Sequence, residues 1–148
     1  MKISVIIPTL NSERTIKLAV NSSLRVADEV IVVDSFSTDK TVEIAEKEGS
    51  RVLQVKGSRL IARIEGAKVA KGDYIVNLDS DIYFSENFKG LEEKVIALGE
   101  ITVGKGIVQK LMSVDREITQ KKWAENLSVS KGGIIPRMYD RRTSIEVL

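Results

Sequence analysis

The stretch "GDYIVNLDSDIYF", residues 72–84, runs from an apolar segment straight into two carboxylates. Tyr74-Ile75-Val76-Asn77-Leu78 reads as a buried strand over 73–78, and it gives way to Asp79-Ser80-Asp81. Aspartate is disfavoured in strands and costly to bury unpaired. Two of them at the end of a core strand are either a solvated loop, with Asp79 capping the next helix, or a built ligand site. The sequence on both sides weighs the two readings.

Upstream, "MKISVIIP" opens the chain as a continuous apolar run over 1–7, the pattern of a strand buried on both faces, with Pro8 as its stop. Asn11 or Ser12 is placed to cap a helix over 13–24 with Ile16, Ala19 and Val20 on one face. "EVIVV", 29–33, is a second buried strand ending at Asp34, and "SFST" is a loop. Thr38 or Asp39 caps a helix running to about 48, where Gly49 stops it. A short strand over 51–55 and a helix over 57–71, with Leu60, Ile64 and Ala67 inward, lead back to the quoted stretch. Downstream, 84–98 is helical in pattern, with Leu91, Val95 and Leu98 inward. Strands alternating with helices at this spacing predict an α/β fold: a doubly wound, mostly parallel sheet with helices on both faces. After residue 99 the pattern blurs: one or two strands over 101–108, then a helix over 110–129 carrying Trp123.

Composition narrows the chemistry. The chain has 148 residues, the size of one domain, and 43% of them are apolar. It has no cysteine and no histidine. Disulfides, thiolate zinc sites, His-metal sites and Ser-His-Asp catalysis are therefore excluded, and carboxylates, lysine, arginine and hydroxyls remain. No apolar run approaches the ~20 residues of a membrane span and no signal peptide opens the chain, so a cytoplasmic location is expected. Residues 105–148 hold nine Lys/Arg against five Asp/Glu. That balance is too thin for a nucleic-acid footprint, and no nucleic-acid partner is expected.

In open parallel sheets, ligands bind at the carboxyl ends of the strands. Three such ends carry unusual residues here: Pro8-Thr9-Leu10-Asn11, Asp34, and Asp79-Ser80-Asp81. Carboxylates at i and i+2 on an extended segment point the same way, roughly 6–7 Å apart. The spacing suits one carboxylate on a hard divalent cation and the other on a sugar hydroxyl. Mg²⁺ and Mn²⁺ favour carboxylate, water and phosphate oxygens, and a diphosphate would complete the shell.

Four segments together resemble the donor-binding half of a family 2 glycosyltransferase with the GT-A, Rossmann-like nucleotide-binding fold. They are "ISVIIPTLNSERTI" (3–16), "DEVIVVDSFSTDKTVEIAEKEGSRV" (28–52), "ARIEGAKVAKGDYIVNLDSDI" (62–82) and, more faintly, "IIPRMYDRRTSIEVL" (134–148). "VVDSFSTDKTVEIA" resembles the branch of bacterial lipopolysaccharide-core β-glucosyltransferases. The resemblance implies metal-assisted, inverting transfer of a sugar from a UDP- or GDP-linked donor to a lipid-linked or saccharide acceptor. It implies that Pro8, Thr9 and Leu10 lie along the nucleoside, with the acid Glu13 beside it. Asp34 would bond the base edge, and Arg63 would face the nucleotide. Asp79-Ser80-Asp81 would be the D-x-D motif, Asp79 reaching the ribose and Asp81 holding Mn²⁺ or Mg²⁺ on the diphosphate. Each residue has a plainer alternative: a strand stop for Pro8, a turn cap for Asp34, a surface arginine for Arg63.

The chain departs from the family pattern in places. Ile64 stands where asparagine is frequent, and Ile82 where a further acid is common. The family's catalytic base lies downstream of the stretch that 134–148 resembles. Asp115, Glu117, Glu125, Asp140 and Glu146 sit in no matching motif, and Asp140 falls in a segment resembling the helix before that motif. Residues 1–98 are thus expected to be a donor-binding core and 99–148 a truncated or minimal acceptor-side portion of one domain. The competing reading is a non-catalytic nucleotide-sugar-binding module. The basic, Trp-bearing segment 110–129 adds an expectation of self-association or peripheral membrane contact. No glycine follows the first strand in "PTLNSER", which argues against a nucleotidyltransferase, and no G-x-G-x-x-G follows any strand, which argues against a dehydrogenase.

Overall fold

The structure, a computed structural model, describes residues 2–84, 86 and 138–140. In chain order it contains β1 (Ile3–Thr9), α1 (Ile16–Leu24), β2 (Glu29–Asp34), α2 (Thr41–Lys47), β3 (Arg51–Gln54), α3 (Arg59–Val69), β4 (Tyr74–Asn77) and β5 (Met138–Asp140). They build one sheet of order β3-β2-β1-β4-β5. β1 pairs in parallel with β2 and β4, β2 pairs in parallel with β3, and β5 runs antiparallel to β4. Asp140 therefore lies on a strand, opposite Tyr74, and not on a helix. The segments expected at 101–108 and 110–129, and all of 84–98 save Phe84 and Glu86, lie outside the described residues.

The order is that of a doubly wound sheet. β1, β2 and β3 step outward in one direction, and the chain then returns to set β4 on the other side of β1. Right-handed crossovers in opposite directions put their helices on opposite faces. Alternation along the strands supplies both cores. Ile6, Ile31, Val33 and Ile75 pack with Ala62, Ala67 and Ala70 of the α3 layer. Val5, Ile7, Val30, Val32 and Val76 point the other way, and Ile16, Ala19 and Val20 of α1 are buried as the helical spacing predicts.

Helix α3 has the expected period but a different phase. Leu60 is 55% exposed, and the buried positions are Ala62, Arg63, Gly66 and Ala67. A Cβ on Gly66 would lie 2.7 Å from Ile6 Cγ2 and 3.1 Å from Val33 Cγ2. The helix sits so close to β1 and β2 that only small residues fit at the contact, and the larger apolar ones turn outward.

Pro8 does not stop β1; the strand continues to Thr9. Ile3 O and Thr9 O accept bonds from the β2 side, and Ile6 O accepts from Leu78 N. By alternation the nitrogen of Pro8 faces β4, where the ladder has ended at Ile6 and Asn77. Proline is tolerated because no donor is needed there. It also frees the chain after Leu78 to leave the sheet. Helix α1 begins at Ile16, three residues later than the expected 13, because residues 12–15 first form a turn in which Thr15 and Ile16 both donate to Ser12 O.

Candidate functional site

The chain reverses its winding at β1, so a crevice opens at the carboxyl ends of β1 and β4. A cleft of about 420 Å³ occupies it. Pro8, Asn11, Ser12, Glu13, Arg14 and Thr15 form one wall, Asp79, Ser80 and Asp81 another, and Asp39 and Arg59 complete it. Of the residues singled out in the sequence, Pro8, Glu13, Asp79, Ser80 and Asp81 line the cleft. Thr9, Leu10, Asp34 and Arg63 do not.

Asp34, last residue of β2, is fully buried. Its Oδ2 accepts from Ser37 N at 2.9 Å and from Gln54 Nε2 at 3.3 Å, and its Oδ1 accepts from the Ser37 hydroxyl. The carboxylate therefore folds the 35–37 turn under itself. Phe36, inside that turn, adopts φ 61° and is 53% exposed. Left-handed backbone is unusual for an aromatic residue and persists only where the surroundings impose it.

The turn is stitched to the first loop. Asn11 N donates to Ser37 Oγ at 2.8 Å, and Thr38 N donates to Asn11 Oδ1 at 2.9 Å. Asn11 has φ 49°, a conformation that asparagine tolerates better than most side chains. Next along, Ser12 N donates to Thr41 Oγ1 at 2.7 Å, and Glu13 N donates to Asp39 Oδ2 at 3.1 Å. Asp39 Oδ1 takes both the hydroxyl and the N–H of Thr41, at 2.5 and 3.0 Å. The Thr41 hydroxyl is the main reason that the Asp39 carboxyl is held below the usual 3.8. Lys40 N donates to Glu13 Oε2 at 3.3 Å, so Glu13 serves the loop as well as lining the cleft.

Across the cleft, Arg63 Nη2 donates to Asp79 Oδ1 at 2.7 Å, with side chains 11% and 22% exposed. The plainer alternative for Arg63, a surface arginine, gives way to a largely buried ion pair. Asp81 is exposed, and its carboxylate makes no hydrogen bond or ion pair among the described residues. Among those residues no three carboxylates converge as a metal cage. Asp81 nonetheless fits a hard cation of the Mg²⁺ type. Such ions are commonly held by one or two carboxylates, with waters and substrate phosphates supplying the other oxygens.

Sequence reasoning missed Ser12, Arg14, Thr15, Asp39 and Arg59 as cleft residues. The N-cap of α2 is Lys40 and not Thr38 or Asp39; Asp39 stands one residue earlier and accepts from Thr41 N, the first residue of the helix. Its place on the cleft follows from β1 and β2 being parallel neighbours, which brings their two following loops side by side.

Comparison with known proteins bears on this cleft. The family model described as "Glycosyl transferase family 2" matches residues 4–144. An uncharacterized glycosyltransferase of Rickettsia bellii is 41% identical over 97 residues, which is 65% of this chain and 33% of the relative. The crystal structure of Staphylococcus aureus TarS 1–349 superposes with a TM-score of 0.51 at 38% identity, over 56% of this chain and 28% of that one. TarS is named a poly(ribitol-phosphate) beta-N-acetylglucosaminyltransferase. Mycobacterium tuberculosis glucosyl-3-phosphoglycerate synthase, in complex with Mn²⁺, UDP and phosphoglyceric acid, superposes with a TM-score of 0.50 at 34% identity, over 53% of this chain and 32% of that one. The chain thus spans about a third or less of the length of these relatives.

Proposed function

The chain belongs to glycosyl transferase family 2, and from that premise we propose that its cleft binds a nucleotide-diphosphate sugar and serves transfer of the sugar, with inversion, to a saccharide or lipid-linked hydroxyl. The observation that carries the reading is the Asp79-Ser80-Asp81 turn. It lies at the switch crevice of the sheet, one carboxylate paired and the other open to the cleft. UDP is the favoured nucleotide, since the mycobacterial synthase was crystallised with it.

In this reading the nucleoside lies along Pro8, Thr9 and Leu10 at the end of β1, with Glu13 of the following loop beside it; Pro8 and Glu13 supply the cleft wall and Thr9, still in the strand, backs it. Asp34 shapes the base end of the site by holding the 35–37 turn, and a direct bond to the base edge would have to share lone pairs already given to Ser37 and Gln54. Asp79 meets the ribose. Asp81, with Asp79 beside it, would hold Mn²⁺ or Mg²⁺, and the chemistry such a cation would supply is neutralisation of the leaving diphosphate, an electrostatic contribution to breaking the sugar–phosphate bond. Without it, the carboxylates of the turn would repel the diphosphate. Residues 1–98 are accordingly the donor-binding part of the domain.

Titration calorimetry with UDP and GDP, each with and without Mn²⁺, tests the proposal. Binding of UDP only in the presence of the cation is the expected outcome. Equal binding with and without cation, or none of either nucleotide, would remove the site's proposed role.

A further inference from the structure

The turn after β4 has little backbone support of its own; Ile82 N to Asp79 O, at 3.0 Å, is its one bond of that kind among the described residues. Two side chains from elsewhere hold it instead. Arg63 of α3 grips Asp79 at 2.7 Å. Ser12 of the β1–α1 loop meets Ser80, hydroxyl to hydroxyl, at 2.9 Å. Ser12 is itself fixed through its N–H to Thr41 Oγ1, and Thr41 through its hydroxyl to Asp39. The third residue, Asp81, has no such clamp among the described residues.

The two clamps differ in what they can reach. Ser12 lines the cleft, whereas Arg63 does not. Arg63 is 9% exposed, and its Nε is enclosed, with no partner among the described residues. A guanidinium seated behind an aspartate influences a ligand in the cleft through that aspartate. Pairing Asp79 with a cation also leaves one uncompensated carboxylate on the turn, which lessens repulsion of an incoming diphosphate.

We propose that Arg63 and Ser12 are positioning residues that fix the Asp79-Ser80-Asp81 turn, through Asp79 and Ser80 respectively, so that Asp81 is presented to a diphosphate-bound divalent cation. The inference rests on reading the cleft as a nucleotide-diphosphate site. It differs from the role the family resemblance gives Arg63, which faces the nucleotide directly.

Two double-mutant cycles on the full chain test it, with Mn²⁺ and UDP as the probe. Arg63→Gln weakens Mn²⁺-dependent UDP binding by roughly 10- to 100-fold, the range found when a partner of a metal ligand is removed. In an Asp79→Asn background the same change has an effect of about twofold or less. Ser12→Ala, which removes the bond to Ser80 together with a 3.2 Å bond from the same hydroxyl to Leu10 O, weakens binding by about three- to tenfold, and loses most of that effect in a Ser80→Ala background. Penalties that persist in these backgrounds show that Arg63 or Ser12 touches the ligand itself, and overturn the proposal. Arg63→Lys, which keeps the charge, replaces the glutamine variant if thermal melts show the latter unfolded. Hydrogen exchange without ligand separates this inference from the functional reading. The amides of residues 80–82 exchange faster in both single variants, and unchanged exchange contradicts the clamps. Faster exchange in a protein that binds no UDP leaves the clamps standing and removes the nucleotide site.

Discussion

Asp34 and Asp81 are aspartates in the same setting, each at the carboxyl end of a parallel strand of one sheet, yet the fold treats them oppositely. Asp34 is fully buried and accepts three bonds from Ser37 and Gln54. Asp81 is exposed and accepts none among the described residues. A carboxylate whose donors come from its own chain is a piece of structure. One left without donors, in a crevice, is available to an outside cation. The amino edge of the sheet shows the first kind again. Asp28 takes Ile3 N, Asp73 takes Lys2 N, and Glu29 takes the Ser4 hydroxyl. Asp79 lies between the two kinds, paired with Arg63 but lining the cleft.

The largest expected effect on stability breaks the buried side of the comparison. Asp34→Ala leaves Ser37 N and Gln54 without their acceptor and is expected to cost about 2–4 kcal/mol in urea unfolding. Asp81→Ala, by contrast, is a surface change expected within about 0.5 kcal/mol of the parent. Equal stability of the two variants would put Asp34 in the same class as Asp81. A smaller effect of opposite sign sharpens the picture of the turn that Asp34 holds. Phe36→Gly relieves a left-handed backbone, which costs a non-glycine residue about 1–2 kcal/mol, against about 0.5–1 kcal/mol of added chain entropy in the unfolded state, and is expected to be slightly stabilising. A loss of stability would mean that the Phe36 ring packs usefully despite its exposure.

The smallest effect concerns pH. Asp39, lowered mainly by the Thr41 hydroxyl, has a folded-state pKa below 3.8. Its contribution is therefore present above that value and lost as pH falls from 3.8 through the lowered pKa. Thermal melts between pH 5 and pH 3 should show a slightly shallower decline for Asp39→Asn than for the parent. Identical slopes would mean that the bonds to Thr41 and Glu13 carry no net stability.

Much of this was legible in the residues. Continuous apolar runs ending in Pro8, Asp34 and Asp79 gave the strands, and glycines and small polar residues gave the breaks. The strand ends named the crevice. What was not legible has a common cause, which is that it depends on which elements become neighbours. The phase of α3 is set by Gly66 against Ile6 and Val33, a contact between distant segments. The tolerance of Pro8 depends on where pairing with β4 ends. The burial of Asp34 depends on Ser37 and on Gln54 of β3, and the pairing of Arg63 on Asp79, sixteen residues away. Ser12 and Asp39 look like ordinary loop and cap residues until parallel pairing of β1 and β2 sets their loops side by side.

The most direct measurement is a calorimetric titration of UDP into the parent and into Asp81→Ala, each with Mn²⁺ and with a chelator, alongside a thermal melt of both. The parent should bind in Mn²⁺ and lose most of its affinity in chelator. Asp81→Ala should melt with the parent and bind weakly in both conditions. Mn²⁺-dependent binding that survives intact in a folded Asp81→Ala variant would contradict the assignment of the open carboxylate to the metal.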